Sequence, residues 1–224
     1  MFRVSRDCLN LGLRAAAIVL RGVQITPSGA ELRAEIAAEV NRVRHQFTSL
    51  AEARAIPELI RLHEILKAVG VKPRRSPPSI DRLFQLALKK GELPRINNLV
   101  DAYNLLSLRS RASLGAHDLD RIAPPVELRS LRGDEPFTPL GLSEPAEVTA
   151  GEFGYFDAAN RLLCRLDVLQ ADFSKVTAET TNVLLIVEAT TAHDAKARRE
   201  LLDRVVEIVG RECGGTADVI DFPS

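Results

Sequence analysis

Three hydrogen-bonding side chains recur at helical spacing in the segment from Leu93 to Ile122. Asn97, Asp101 and Asn104 are separated by four and three residues, so a helix places all three on one face. Amide and carboxylate groups in such a row can orient a polar ligand. The spacing also has a purely structural interpretation, in which Asn97 caps the helix and Asp101 complements the helix dipole.

The chain carries no net charge, but its middle section is basic. Residues 72–111 contain nine Lys and Arg against three Asp and Glu, whereas residues 112–224 carry a net charge of −9. Clustered arginines can contact the phosphates of a nucleic acid, although a basic surface is also typical of an ordinary solvated helix face. The candidate phosphate-binding residues are Arg74, Arg75, Arg95, Arg109 and Arg111.

Several kinds of chemistry have no motif in this sequence. There is no phosphate-binding glycine loop, no dinucleotide fingerprint and no hydrolase serine elbow. The three cysteines are far apart and the four histidines do not cluster at metal-ligand spacing. We therefore expect no metal and no cofactor, and free cysteines that suit the reducing cytoplasm. No apolar run approaches the ~20 residues of a membrane span, so we expect a soluble protein without membrane association.

The first half of the chain is rich in helix signals. A short apolar run at 14–21 predicts a buried strand. Apolar residues at three- and four-residue steps then predict a helix over 30–48. Proline and serine starts with glycine stops predict two more helices over 57–69 and 79–90, and a fourth is expected over 97–108.

The second half is rich in strand signals. Residues 126–131 alternate between apolar and polar side chains, as a half-buried strand does. Shorter strands are expected at 153–157 and 161–166. The continuous apolar run at 182–188 predicts a central strand, and a last helix is expected over 194–211. Helices followed by strands indicate an α+β fold.

Two ordered motifs resemble the editing domain of the phenylalanyl-tRNA synthetase β subunit. RINNLVDAYNLLSL followed by LGAHDLDRI is similar to the family's I-N-N-x-V-D-x-x-N stretch and later A-x-D segment. VTAETTNVLL is similar to its V-x-x-E-T-x-N-x-L-L segment. Freestanding relatives of this domain match further, through GVKPRRSPPSIDRL, FTPLG and LLIVEA. The resemblance covers roughly residues 55–212, and residues 1–50, a strand and a helix, match weakly.

The resemblance implies both a fold and an activity. The fold is a three-layer domain with a β-sandwich of unusual topology, and we expect residues 1–224 to form one such domain. The family's editing domain hydrolyses tyrosine wrongly attached to phenylalanine tRNA, without a metal or other cofactor. The pocket residues that the motifs imply are Asn97, Asn98, Asp101, Asn104, Gly115 and Asp118.

The sequence departs from the family at its reacting residues. Gly115 stands where the family has His, and His117 stands where it usually has Phe. Ile186 replaces a pocket Glu, but Glu188 lies two residues further on the same strand face. We therefore expect Glu188 and His117 to act on water or to bind the amino acid. The structural alternatives are a strand-end carboxylate for Glu188 and a loop side chain for His117.

Two functions fit these residues. The first is a freestanding tRNA-binding or trans-editing protein of translation, a hydrolase that deacylates mischarged aminoacyl-tRNA and binds the tRNA acceptor end. The second is a non-catalytic binding module for an amino acid or related metabolite. A complete aminoacyl-tRNA ligase is excluded, because no ATP-binding motif accompanies the domain. The tRNA hypothesis requires the segments after Leu93 and Val176 to form one pocket.

Overall fold

The computed structural model describes residues 1–223, and nine strands and seven α-helices lie among them. The strands are β1 (Phe2–Val4), β2 (Leu13–Arg21), β3 (Ser113–Asp118), β4 (Val126–Ser130), β5 (Phe153–Phe156), β6 (Leu162–Arg165), β7 (Leu169–Gln170), β8 (Asn182–Thr190) and β9 (Thr216–Ile220). The helices are α1 (Arg6–Asn10), α2 (Ala30–Gln46), α3 (Leu50–Ala53), α4 (Pro57–Ala68), α5 (Ser79–Lys90), α6 (Asn98–Ser110) and α7 (Ala195–Cys213).

A four-stranded antiparallel sheet has the order β3-β8-β2-β9. The predicted central position of β8 is confirmed, because β3 and β2 pair with its two edges. Both neighbours run along the apolar part of β8, which explains why its sequence lacks a polar face. In the β3–β8 pair, Ser113 lies opposite Glu188 and Gly115 lies opposite Ile186.

A five-stranded sheet has the order β1-β4-β5-β6-β7. The short β1 runs parallel to β4, whereas the other neighbours are antiparallel. Gly154 in β5 allows a close approach here, because an added Cβ would lie 2.6 Å from Leu162 and 2.7 Å from Leu131. The N-terminal segment takes part in both sheets, because β1 lies in this five-stranded sheet and β2 lies in the four-stranded sheet.

The two sheets pack face to face and helices cover the outer face of the four-stranded sheet. Alternate residues of β8 divide between these layers: Leu184 and Ile186 pack with Tyr155 of β5, whereas Leu185 and Val187 pack under α6 and α7. This is the α+β, three-layer β-sandwich that the sequence predicted, with its helix-rich first half and strand-rich second half.

The strongest sequence signals mark the observed helix ends. Gly91 ends α5 with the left-handed φ of 70°, and Asn97 caps α6 by accepting a 2.8 Å bond from the Val100 amide. The sequence did not predict the short strands β1, β7 and β9, nor the longer strand β3. His117 consequently lies in a strand, so its interpretation as a loop residue is wrong. Within residues 1–223 no helix is long and apolar enough to cross a membrane.

Candidate functional site

A cavity of about 160 Å³ lies at the edge of the sandwich, where β3 meets the β6–β7 turn. Its walls come from α6, β3, the β6–β7 segment, β8 and the start of α5. Both motif regions contribute to it: Asn104 and Gly115 line it from the first motif, and Glu188 lines it from β8, three residues after the end of VTAETTNVLL. The pairing of β3 with β8 brings them together. The full lining is Ser79, Tyr103, Asn104, Ser113, Leu114, Gly115, Cys164, Asp167, Val168, Leu169, Gln170 and Glu188.

Glu188 lies on the side of β8 that faces the five-stranded sheet. It follows Leu184 and Ile186 at two-residue steps on that face, as the sequence predicted. Its Oε2 is buried and has no hydrogen-bond partner among the described residues. Burial, and then the charge of Asp167, raises the pKa of this carboxyl well above its usual value. Glu188 is therefore an acid that holds its proton far more strongly than an exposed carboxyl.

Asp167 is a second buried carboxyl in the cavity wall, held by two serines. Its Oδ2 accepts a 2.6 Å bond from Ser113, and its Oδ1 accepts bonds from the hydroxyl and amide of Ser79. Burial raises the pKa of Asp167 to about 6 and the charge of Asp81 adds to the rise, while the serine bonds oppose it. The left-handed φ of 50° at this residue turns the chain between β6 and β7.

Tyr155 stands behind Glu188 on β5. Its side chain is 1% exposed, and its hydroxyl has no hydrogen-bond partner among the described residues. Burial, and then the negative charge of Glu188, raises the pKa of the phenol well above its usual value. The effect of Glu188 places the two groups close together, although they do not meet the geometry of a hydrogen bond. Each is a buried polar group with unused hydrogen-bonding capacity, which native proteins rarely keep.

His117 lies next to the cavity and does not line it. Its Nδ1 is 2.9 Å from the Ser174 hydroxyl and 3.3 Å from the amide nitrogen of Gln170, which does line the cavity. Burial lowers the pKa of His117 to about 4, so the ring is neutral near neutral pH. Gln170 also donates to the Ala116 carbonyl at 2.9 Å. His117 is thus placed to fix the Gln170 amide and not to touch a ligand directly.

The predicted pocket residues of α6 divide into two groups. Asn104 lines the cavity. Asn97 caps the helix, which confirms the structural interpretation of this residue and not its interpretation as a pocket residue. Asn98 is buried and donates to the carbonyls of residues 24 and 212. Asp101 is buried as well and accepts bonds from Ser28 and from the amide of residue 96. These two side chains tie α6 to its neighbours.

Asp118 also serves the framework at the far end of β3. Its Oδ2 accepts a 2.6 Å bond from Thr180, and its Oδ1 accepts a bond from the amide of Asp120. Thr180 belongs to the second motif segment, so this contact joins the two segments a second time. The motifs therefore contain both cavity residues and the bonds that hold the cavity walls together.

A family model matches most of this region. The B3/4 domain model matches residues 62–205, which is more than half of the chain. The chain belongs to the B3/4 domain family. This domain is found in the phenylalanyl-tRNA synthetase β subunit, so the chain is a relative of that synthetase domain. Every residue that lines the cavity lies within the matched range.

Solved structures show the same fold. An N-terminal fragment of the phenylalanyl-tRNA synthetase β subunit from Pyrococcus horikoshii is similar over 100% of this chain, with a TM-score of 0.53 and 14% sequence identity. The match covers 54% of that fragment, so the chain spans about half its length. The sequence matches no curated protein at a significant level.

The five candidate arginines of this B3/4 domain have different surroundings. Arg74, Arg75 and Arg95 are exposed and form no salt bridge with another residue in the range 1–223. Arg109 binds Glu35 at 3.0 Å. Arg111 is half-buried, with its guanidinium carbon 5.3 Å from the centre of the Phe84 ring. Burial lowers the pKa of Arg111.

A larger groove of about 630 Å³ lies between α6 and α7, but its charged side chains are already paired. Arg109 binds Glu35 and Arg204 binds Glu207. His193 also lines it, and burial lowers the pKa of this ring, whose Nε2 is 3.2 Å from the Ser110 carbonyl. Of the residues predicted for the site, only Arg109 lines this groove. The B3/4 cavity around Glu188 is therefore the better candidate.

Several cavity residues of the B3/4 domain were missed from the sequence. Asp167 and Ser113 carry no motif signal, because their roles depend on a contact between residues far apart in the chain. Gln170 stands, with Ala171, where the family resemblance has a glycine pair, and its place in the cavity wall was not predicted. Ser79 lies within the quoted segment GVKPRRSPPSIDRL, where it was interpreted as a helix cap. The N-cap position is in fact Pro78, and the Ser79 hydroxyl binds Asp167. Within residues 1–223 no group of three or more His, Cys, Asp or Glu side chains could hold a metal ion.

Proposed function

We propose that this synthetase-related domain binds the aminoacyl end of a tRNA in the cavity around Glu188 and hydrolyses the aminoacyl ester. The observation that carries the proposal is the meeting at one cavity of the first motif and of the strand that continues the second motif, with Asn104 and Gly115 on one side and Glu188 on the other. The partner is a mischarged aminoacyl-tRNA of translation, met in the cytoplasm.

The size of the cavity supports a single amino-acid side chain as its occupant. Its volume of about 160 Å³ is below the ~300–1,000 Å³ typical of sites for larger ligands. The polar groups of Asn104, Gln170 and Glu188 converge on this space. A small cavity with a few polar groups discriminates by hydrogen bonding, because a ligand that leaves them unpaired binds weakly.

The residue roles follow from the geometry. Glu188 contacts the amino acid, and Asn104 presents its side-chain amide to the cavity. An amide donor can stabilise the oxyanion that forms when water attacks the ester. Gln170 shapes the wall, with its amide nitrogen held by the Ala116 carbonyl and by His117. His117 is a positioning residue in this proposal, because its ring does not reach the cavity.

The exposed arginines supply the contacts to RNA. Arg74 and Arg75 lie five and four residues before Ser79 in the cavity wall, so their backbone is tethered near the cavity. Both are exposed and without an ion-pair partner among residues 1–223. Free cations beside a cavity suit the phosphates of an acceptor end. Arg95 adds a third exposed cation, whereas Arg109 is paired and Arg111 is half-buried.

Filter binding of tRNA at several salt concentrations tests the RNA part. We expect the Arg74→Gln, Arg75→Gln double variant to bind tRNA more weakly and to reduce the slope of log K against log salt by about one per cation removed. The control is Arg199→Gln, which removes an exposed charge on α7. An unchanged slope in the double variant contradicts the proposed RNA surface.

Release of amino acid from a panel of mischarged tRNAs tests the hydrolytic part. We expect at least one aminoacyl-tRNA to be deacylated. Glu188→Gln should slow that reaction by about 100-fold, which is the lower end of the rate loss seen when one transition-state contact is removed. Glu207→Gln on the exposed side of α7 is the matched control.

A non-catalytic binding module is the second candidate, and the state of two side chains favours it. The raised pKa of Glu188 favours its protonated form, and the buried, neutral His117 does not line the cavity, so neither is set to take a proton from water there. Such a module binds an amino acid or a related metabolite without turnover. Tight binding combined with an uncatalysed rate of ester loss would select this function.

A further inference from the structure

The lining of the cavity around Glu188 is one-sided in charge. Its ionisable members are Glu188, Asp167, Cys164 and Tyr103, and the lining contains no Lys, Arg or His. Two carboxyl groups therefore face a small space without a basic side chain among its walls. Buried carboxylates normally have a cationic partner or a metal.

One carboxyl oxygen in the cavity wall retains bonding capacity. Glu188 Oε2 is buried and has no hydrogen-bond partner within residues 1–223. Tyr155 stands behind Glu188 and does not line the cavity. A ligand with several donors would satisfy the free oxygen of Glu188.

The charged groups around the cavity are committed to other partners. Asp81, whose charge acts on Asp167, is bound by Arg54 at 2.7 Å and by His63 at 3.1 Å. On the other side Arg165, whose charge acts on Cys164, is bound by Glu152 at 2.7 Å. None of these three basic side chains lines the cavity. The lining therefore supplies no positive charge to Glu188 or Asp167.

We propose that the cavity binds a primary ammonium group carried by a small ligand, such as the side chain of a basic amino acid. An ammonium offers three donors from one compact centre, which suits two carboxyls in a small space. The identity of the amino acid on the tRNA rests on the proposed function, but ammonium binding itself does not.

The alternative occupant is a neutral hydroxyl that accepts a hydrogen bond from protonated Glu188. The two occupants respond oppositely to pH. An ammonium favours ionised carboxyls, so binding releases protons and its affinity rises with pH. A hydroxyl that needs the protonated acid binds less tightly as pH rises. Cys164 and Tyr103 also face the cavity, and burial raises the pKa of both.

NMR titration with n-butylammonium and with n-butanol tests the proposal. The two probes share a four-carbon chain and differ only in the terminal group, which is an ammonium in one and a hydroxyl in the other. We expect n-butylammonium to bind at least about tenfold more tightly than n-butanol, and to bind more tightly at about pH 8 than at about pH 6, where more of the carboxyls hold a proton. Glu188→Gln should remove this preference, whereas Glu207→Gln should keep it. A melting temperature of Glu188→Gln no lower than that of the wild type shows that the variant is folded.

Three results overturn the proposal: equal or tighter binding of n-butanol, an n-butylammonium affinity that does not rise with pH, or binding of neither probe. The tRNA assays separate this failure from that of the proposed function. Binding of tRNA without n-butylammonium binding refutes the ammonium site alone. Binding of n-butylammonium without tRNA binding refutes the proposed function and leaves an amine-binding cavity.

Discussion

At the residue scale, the feature with the clearest consequence is the pair of carboxyls Glu188 and Asp167, of which Asp167 is buried and Glu188 has one buried oxygen. Folding raises the pKa of each, so the native state binds protons more tightly than the unfolded chain does. Stability from such groups is fully present below the unfolded pKa and is lost as pH rises through the folded pKa. For Asp167 the loss runs from about 3.8 to about 6. For Glu188 it begins near pH 4.5 and continues well above that value.

Glu188→Gln should therefore stabilise the protein, and increasingly so as pH rises. The amide keeps the shape of the protonated acid but never has to ionise, so the gain is small near pH 4 and reaches at least about 1 kcal/mol at pH 8, since each pKa unit is worth about 1.4 kcal/mol. Urea unfolding at several pH values measures it. Glu207→Gln, at an exposed position, should show no such trend. A Glu188→Gln gain that is constant with pH would contradict the raised pKa.

Single residues of the site differ in how far the sequence alone predicts their position. Glu188 was predictable because strand period alone places it on the face of Ile186. Asp167 was not predictable, because its position depends on a left-handed turn and on two serines that are distant in the chain. Ser113 lies 54 residues before it and Ser79 lies 88 residues before it. Tyr155 was not predictable either, since only the packing of the two sheets brings β5 behind Glu188.

At the element scale, two strand glycines have opposite packing. A Cβ at Gly115 in β3 would meet nothing within 4 Å, and this residue opens onto the cavity. A Cβ at Gly154 in β5 would lie 3.0 Å from the Cys164 carbonyl as well as against Leu131 and Leu162. Only the second glycine is required by the packing of the sandwich.

The alanine variants of these glycines should accordingly separate stability from binding. Gly154→Ala should lose about 1–3 kcal/mol by overpacking, whereas Gly115→Ala should stay within about 1 kcal/mol of the wild type. Gly115→Ala should instead weaken n-butylammonium binding, because its methyl group enters the cavity. Denaturant unfolding and NMR titration measure the two effects. Equal losses of stability would refute the assigned packing.

The strands that the sequence did not reveal share a physical cause. β1, β7 and β9 have two to five residues and lie at sheet edges, so pairing with a distant strand defines them more than local pattern does. β3 combines Gly115 with the polar pair His117 and Asp118, which disrupts the alternation expected of a strand. The long elements were predictable because their periodicity or apolar run persists over many residues.

At the scale of the whole molecule, the N-terminal residues decide how the layers are built. The family match begins at residue 62, yet β2 lies between β8 and β9 and pairs with both. Six consecutive residues of β2, from Ala15 to Leu20, are at most 3% exposed. A B3/4 domain without this strand would expose the central edge of β8. We therefore propose that residues 1–224 fold as one domain.

A chain that begins at residue 22 should fail to fold by itself for this reason. It lacks β1 and β2, so β8 loses the hydrogen bonds of nine paired residues and the sandwich loses part of both cores. We expect no cooperative thermal transition by circular dichroism, and recovery of a transition when a peptide of residues 1–21 is added. The same peptide with Ile18→Asp is the control and should not restore folding, because Ile18 is fully buried. Cooperative unfolding of the shortened chain at the wild-type midpoint would show that the matched region is a domain without β2.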